Sequence, residues 1–441
     1  MIRTGNLRTI VAVSFVFLVQ LAPRPPARAE STRVLSLDQV LTMARKNNRT
    51  LVAERERVAQ AQTNLEQAWS VLFPSVVAQG KYTRNNTAFV FSGFGEPSTQ
   101  SGPALTIQPL NQLDGVVSFT APLLVPPAYP GLESVKSSVR ASEADYDVSL
   151  ANVLFAVAQT YYAAGIADEV ETARQSSIEV ARATLDNART RFSAGAVTKV
   201  DLDRAELAVV HAEQALREAH FAREQSYRAL ATLIQSDGGF RVESIAPESA
   251  AEPARDLDLA LRLRPEFRTL ELSARAEAAL ARAQAWRWAP TVSGFGSARI
   301  FNYDNFARER HAWAVGVSLD WVLFDGGVRD AQRHLAASQA REALARSQVL
   351  RDSIRDDLAN GHDLLDTKRR AQEAAERSVA LAMETLELVR TQYEAGNIAQ
   401  IDLLAAQDGL VAAKEALAQS HFEVALADLS LRRAAGTFPG K

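Results

Sequence analysis

Arg191-Phe192-Ser193-Ala194-Gly195-Ala196-Val197-Thr198-Lys199-Val200-Asp201-Leu202 returns later as Thr391-Gln392-Tyr393-Glu394-Ala395-Gly396-Asn397-Ile398-Ala399-Gln400-Ile401-Asp402-Leu403, with one slip at the start. From Phe192 and Tyr393 onward the register holds: Gly195 with Gly396, Val197 with Ile398, Val200 with Ile401, Asp201 with Asp402. The copies lie roughly 200 residues apart, about half the chain, and an internal duplication on that scale dictates the architecture.

Proline placement says what is duplicated. None occurs between Pro130 and Pro247, and none between Pro290 and Pro439, and each gap holds one copy. These stretches are rich in Ala, Leu, Glu, Arg and Gln, all strong helix formers. Gly195 and Gly396 then mark the turns of two helical hairpins. The first limb, from about Leu132 to Ala194, would be roughly 95 Å long at 1.5 Å per residue, and such a helix needs coiled-coil packing. The second limbs carry the seam. Leu403, Leu410, Leu417, Val424 and Leu431 recur at sevens, with Ala406, Ala413, Ser420 and Ala427 between them. Leu202, Val209, Leu216 and Leu230 repeat the row in the first copy, interrupted by Arg223. A seven-residue seam implies a left-handed supercoil, and its small residues let helices approach closely. An isolated two-stranded stalk would show the same seam.

The sequence between the helices reads as strand. Trp313, Val315, Val317, Leu319 and Trp321 alternate with Ala312, Ala314, Gly316, Ser318 and Asp320. One face is large and apolar, the other small or polar. The two Trp are roughly 26 Å apart at about 3.3 Å per residue, matching the ~25 Å band between the aromatic girdles of a membrane barrel. Val76–Thr83, Gly115–Leu124 and Thr291–Phe301 are further strands, giving one hairpin per copy, near 76–90 with 114–124 and 291–301 with 311–321. Four strands cannot close a membrane barrel, which needs about eight or more, so the chain must oligomerise. A leading helix precedes each hairpin, Leu37–Phe73 before Pro74 and Leu257–Ala289 before Pro290. The units expected are a signal segment (1–29), a first repeat (30–236), a linker (237–255) and a second repeat (256–441).

The first 29 residues fit an export signal: Arg3 and Arg8, an apolar run from Ile10 to Leu18, then Ala27-Arg28-Ala29. That run is short for an uncleaved anchor, which needs about 20 residues, and no later stretch reads as a membrane-spanning helix. Removing the segment takes four arginines and no acid, leaving a chain more acidic than the −3 of the whole. That charge argues against a nucleic-acid partner. The absence of cysteine excludes disulfides, thiolate metal sites, cysteine catalysis and an N-terminal lipid-bearing cysteine. The six histidines form no HExxH or similar ligand pair, and the GxG stretches Gly93-Phe94-Gly95 and Gly294-Phe295-Gly296 do not open a helix. No catalytic, cofactor or metal site is expected.

The chain resembles the TolC family of bacterial outer-membrane efflux proteins over essentially its whole mature length. The carriers are Leu37, Ala44, Asn47 and Asn48; Leu72-Phe73-Pro74-Ser75; Leu323-Phe324-Asp325-Gly326-Gly327; and the paired Phe192-x-x-Gly195 and Tyr393-x-x-Gly396 turns followed by Asp201 and Asp402. The first copy departs from the Leu-Phe-Asp-Gly-Gly pattern with Leu123-Leu124-Val125-Pro126-Pro127. The resemblance implies a mainly α fold with a small membrane β part. A homotrimer would build a twelve-stranded β-barrel in the outer membrane, continued by an α-barrel tunnel across the periplasm. Substrates would leave passively, delivered by an inner-membrane pump through a periplasmic adaptor. It implies adaptor contacts at the tips, Gly195, Gly396, Val197 and Ile398, and an acidic periplasmic entrance at Asp201 and Asp402. The next acid of the family falls on Ala405 and an entrance arginine on Ile398, so that network is thinner here. Trp313 and Trp321 would form the girdle against outer-membrane lipid. Acids at a helix start also serve as caps, and Thr198-Lys199-Val200-Asp201 reads as a capping box. The competing function class is a structural or adhesive coiled-coil envelope protein. A periplasmic adaptor, which also has long hairpins, would lack two apolar-faced β-hairpins.

Overall fold

The computed structural model describes residues 33–91, 105–243, 252–305 and 309–438. The expected export signal at 1–29 lies outside them, as do the middle of the 84–113 loop and residues 244–251 of the linker.

The leading helices are broken where uninterrupted ones were expected. Helix α1 (Leu37–Asn47) starts at a Ser36/Gln39 capping box and ends at Asn48, which then caps α2 (Arg49–Ser70). Buried Asn48 serves both helices, its own N–H donating to the Ala44 carbonyl at the end of α1. Its side-chain oxygen accepts from the Thr50 N–H at 2.9 Å, and its amide donates to the Leu233 carbonyl at 2.9 Å. Helix α5 (Leu257–Leu263) stops at Arg264 because Pro265 opens α6 (Pro265–Trp286) and forces its predecessor out of the helical region.

The long helices follow. Helix α3 (Ala128–Ser193) has 66 residues and α7 (Val328–Glu394) has 67, each about 100 Å long. They turn back as α4 (Lys199–Ile234) and α8 (Gln400–Ala434). The seam packs as read: Leu185 and Ala188 close on Ala205, flanked by Leu202 and Val209. Leu365 meets Ala427 and Leu431. A Cβ at Gly361 would come within 3.1 Å of Leu431, so glycine there permits the close approach. Contrary to the reading of the sequence, α3 is long and apolar enough, by length and composition only, to cross a membrane. Leu154, Val157, Tyr161 and Ala164 on this helix are buried in the largest apolar cluster.

That cluster lies under a ribbon invisible in the sequence. Strand β1 (Arg33–Leu35) pairs in parallel with β6 (Phe240–Val242), inside what was read as linker. Two tyrosines tie it down. The Tyr161 hydroxyl donates to the Leu35 carbonyl and accepts from the Glu243 N–H. The Tyr227 hydroxyl donates to Asp168 at 2.6 Å and accepts from the Val242 N–H. Burial, with the Asp168 hydrogen bond adding to it, pushes the Tyr227 phenol up to about 12. Here the interruption at Arg223 is explained: its guanidinium sits 2.5 Å from Asp168 and 3.1 Å from Glu171, stacked on Tyr227. One position of the seam is given to an ion pair that joins α3, α4 and the ribbon.

Strands β2 (Ser75–Arg84), β5 (Asn111–Leu124), β7 (Thr291–Phe301) and β8 (His311–Asp320) form one antiparallel sheet in the order β2-β5-β7-β8. The first strand therefore ends at Arg84, short of the 76–90 expected. A short hairpin, β3 (Phe89–Phe91) with β4 (Leu105–Gln108), occupies part of the adjoining loop. The element order (helix pair, β-hairpin, long helix, returning helix) runs twice along the chain.

Candidate functional site

Two surfaces carry the functional geometry: the sheet and, at the far ends of the long helices, the tips. Residues directly opposite in an antiparallel sheet share a face, so the register sorts the side chains. Val76, Phe119, Gly296 and Val315 form one cross-strand row, and Ala78, Val117, Ala298 and Trp313 the next. This face is apolar across all four strands, and Val317 on it is 67% exposed. The rows behind it read Val77, Ser118, Ser297, Ala314 and Gln79, Val116, Arg299, Ala312. Ser293 and Ser318 share a hydrogen bond of 2.8 Å there. A face that is apolar and open through these rows beside one that is small and polar is the alternation of a lipid-facing strand set.

Trp313 stands within β8, whereas Trp321 lies one residue past its end. Its indole N–H donates to the Trp288 carbonyl at 3.1 Å. Just below, Asp325 accepts from the Gly327 and Arg329 N–H groups and from the Arg329 guanidinium, which lies against the Trp288 ring. Leu323-Phe324-Asp325-Gly326-Gly327 is thus a strand-to-helix corner, with Gly327 at φ 87° opening α7. No single residue type predicts this Trp288–Arg329 stack; Trp286 and Trp288 before Pro290 were its only sequence signal.

The tips are built alike. At each, a glycine in the left-handed region, Gly195 at φ 72° and Gly396 at φ 80°, ends the first limb. The next N–H reaches back five residues, Ala196 to the Arg191 carbonyl at 2.8 Å and Asn397 to the Gln392 carbonyl at 2.9 Å. These are Schellman closures. A Cβ at either glycine would meet nothing within 4 Å, so backbone conformation alone demands glycine. Val197 and Ile398 follow, each half-buried. Beyond this the tips diverge. Thr198 caps α4 with a complete capping box, its hydroxyl donating to Asp201 at 2.7 Å. That hydrogen bond, joined by the Thr198 N–H, holds the Asp201 carboxyl below the ordinary carboxylate value. Ala399 stands at the same place before α8 and offers no side-chain cap, leaving Asp402 exposed in the first turn. Asp201 therefore sits in a capping box, and Asp402 does not. Between the tips, the Arg191 guanidinium lies 4.6 Å above the Tyr393 ring and donates to the Tyr393 carbonyl at 3.4 Å. A groove of about 530 Å³ is lined mainly by α3, α4 and α8, with Val180, Leu207, Ile401 and Val411 among its apolar residues and His211 and Lys414 among its polar ones.

Long helical hairpins standing on an open-faced apolar sheet define an outer-membrane channel protein. The chain belongs to the outer membrane efflux protein family, whose model matches residues 40–236 and 257–437. It is 24% identical over 413 residues to the outer membrane efflux protein BepC of Brucella suis biovar 1, covering 91% of this chain and 85% of that one. With the outer membrane protein TolC of Vibrio cholerae it shares 24% identity over 355 residues, 74% of this chain and 77% of that one. The fold matches the outer membrane channel CmeC of Campylobacter jejuni with a TM-score of 0.78 at 20% identity, covering 91% of this chain and 85% of that one. The protein is an efflux channel of the bacterial outer membrane, with its helical part in the periplasm.

Proposed function

We propose that three copies close their sheets into a twelve-stranded β-barrel and their helical hairpins into a continuous α-barrel, giving a passive duct from periplasm to cell exterior. An inner-membrane pump and a periplasmic adaptor deliver the substrate, and the adaptor meets the tips at Gly195, Val197, Gly396 and Ile398. The two halves, 30–236 and 256–441, are copies of one ancestral unit. Trp313 and Trp321 hold the barrel at the lipid boundaries, and the free carboxylate of Asp402 rings the periplasmic entrance.

One observation carries this reading: a four-stranded sheet with a largely apolar face, whose edges β2 and β8 are unpaired among the described residues, is joined to helices of about 100 Å. Such a sheet is unstable in water and incomplete in a membrane, and closure by further copies satisfies both faces and both edges. A structural coiled-coil protein of the envelope needs no such sheet. The test is fractionation with heat-modifiable gel migration, followed by conductance in planar bilayers. A heat-labile trimer in the outer membrane that conducts is the expected result. A monomer, or a trimer with no conductance, overturns the duct.

A further inference from the structure

We infer that β8 of one subunit pairs with β2 of the next in a specific register, in which Ser318 lies opposite Lys81 of the partner subunit. The inference rests on the trimeric reading above and adds the residue-level seam. Three observations lead to it. First, the two hairpins are superposable in register: Ser75, just after Pro74, pairs with Thr120, while Thr291, just after Pro290, pairs with Asp320. So β7 repeats β2, and β8 repeats β5, with Val117 and Val317 in the same place. Second, the chain already contains one junction between hairpins, β5 against β7, where Ser118 faces Ser297 and Thr120 faces Phe295. The junction between subunits joins the same two kinds of strand, β8 and β2. Carrying the register across sets Ser318 opposite Lys81 of the partner subunit, Asp320 opposite Gln79 of the partner subunit, and Val317 opposite Tyr82 of the partner subunit. Apolar faces stay with apolar and polar with polar, as a barrel requires.

Third, the edge is visibly unfinished. Strand β5, paired on both sides, runs 14 residues to Leu124, whereas β8 stops after 10 at Asp320. The residues that repeat Ala121–Leu124 are Trp321–Phe324, which lie unpaired with Leu323 70% and Phe324 85% exposed. The carried register, including the bulge between Pro122 and Leu124, brings Val322 against Val77 of the partner subunit and Phe324 against Val76 of the partner subunit. Trp321–Phe324 then becomes strand only in the assembly. Lys81 of the partner subunit also falls diagonal to Asp320, within reach of a lumenal ion pair.

The absence of cysteine makes the test clean. In the full-length protein, Ser318→Cys is combined with Lys81→Cys, and separately with Gln79→Cys or Thr83→Cys. Within one chain these positions are three strands apart, about 14 Å, too far for a disulfide, so any bridge joins subunits. Directly opposed residues lie about 4.5–5.5 Å apart and diagonal ones about 7–8 Å, so the in-register pair should form a covalent trimer on a non-reducing gel several-fold faster. Val317→Cys with Tyr82→Cys repeats the test on the lipid face, should replacement of Lys81 disturb assembly. Faster bridging by a shifted pair, or a heat-labile trimer in which no pair bridges, overturns the register and leaves the trimer standing. A chain that never forms an oligomer overturns both.

Discussion

The two halves share the order helix pair, β-hairpin, long helix, returning helix, yet their tips differ. In the first half the tip is closed on itself: Thr198 holds Asp201, and Lys199 pairs with Asp203 at 2.5 Å. In the second half Ala399 leaves Asp402 without a cap, and the tip is steadied from outside by Arg191 over Tyr393. The paired aromatics show the same split, with Phe192 40% exposed and Tyr393 only 6%. Matching positions in the two halves therefore differ in their local bonding. The Asp201 carboxylate is engaged by its own helix cap, whereas the Asp402 carboxylate has no capping partner at Ala399.

The largest expected effect tests where the halves are alike. Val117 and Val317 occupy the same place on the apolar face. Replacing either with Arg should cost about 2–4 kcal/mol near mid-bilayer and strip the protein from the outer membrane, while Ser318→Glu, a charge on the polar face, assembles. Outer-membrane yield of heat-labile trimer is the measurement. If all three variants assemble equally, the apolar face does not meet lipid; if only one Val is sensitive, the hairpins sit at different depths.

Next come the glycines. Their left-handed φ costs a residue with a Cβ about 1–2 kcal/mol, and β-branched side chains resist it most. Gly396→Val should reduce export while the trimer stays in the membrane, and Gly396→Asn, which tolerates that conformation, should largely spare it. Gly195→Val should act in the same direction. Normal export by the double Val variant would remove the proposed adaptor contact at the tips.

The caps separate the halves directly. Thr198→Ala should destabilise α4 by about 1 kcal/mol, read from thermal unfolding of the helical signal. Because Asp201 titrates below its ordinary value when folded, the box is fully formed above the ordinary carboxylate value of 3.8 and is lost as pH falls through the lowered one. The gap between wild type and Thr198→Ala should thus be constant near neutrality and close under acid. A gap that persists when the carboxylate is protonated would mean that Thr198 acts without Asp201.

Much of this was legible in the sequence because long periodic patterns average over local accidents. The seven-residue seam, the alternation from Ala312 to Trp321 and the Gly195/Gly396 pair all recur enough to be read. What was missed depends on partners distant in the chain. Nothing near Asn48 announces that its amide will reach Leu233, and three residues at Arg33–Leu35 are too few to signal a strand without Phe240–Val242 beside them. Pro265 was legible and overlooked; it alone requires the break between α5 and α6. At the candidate entrance the capping box was readable from Thr198 and Asp201, but its missing counterpart at Ala399 shows its consequence only when the two tips are set side by side.

The smallest effect is the most discriminating, because one substitution makes the second tip imitate the first. Ala399 has φ −77° and ψ 154°, close to the −84° and 162° of Thr198, so the backbone is already suited to a capping side chain. Ala399→Thr should build the missing box, with its hydroxyl engaging Asp402 as Thr198 engages Asp201, and stabilise α8 by up to about 1 kcal/mol. In a trimer, three free Asp402 carboxylates near one axis would draw cations to the entrance, and capturing them weakens that field. Reversal potentials in planar bilayers under a salt gradient should therefore shift toward lower cation selectivity in Asp402→Ala and, by a smaller amount, in Ala399→Thr. Asp201→Ala should leave selectivity alone and lower stability. Equal selectivity in Asp402→Ala and wild type would mean that no carboxylate ring exists at the entrance, and that Asp402 serves only the helix it begins.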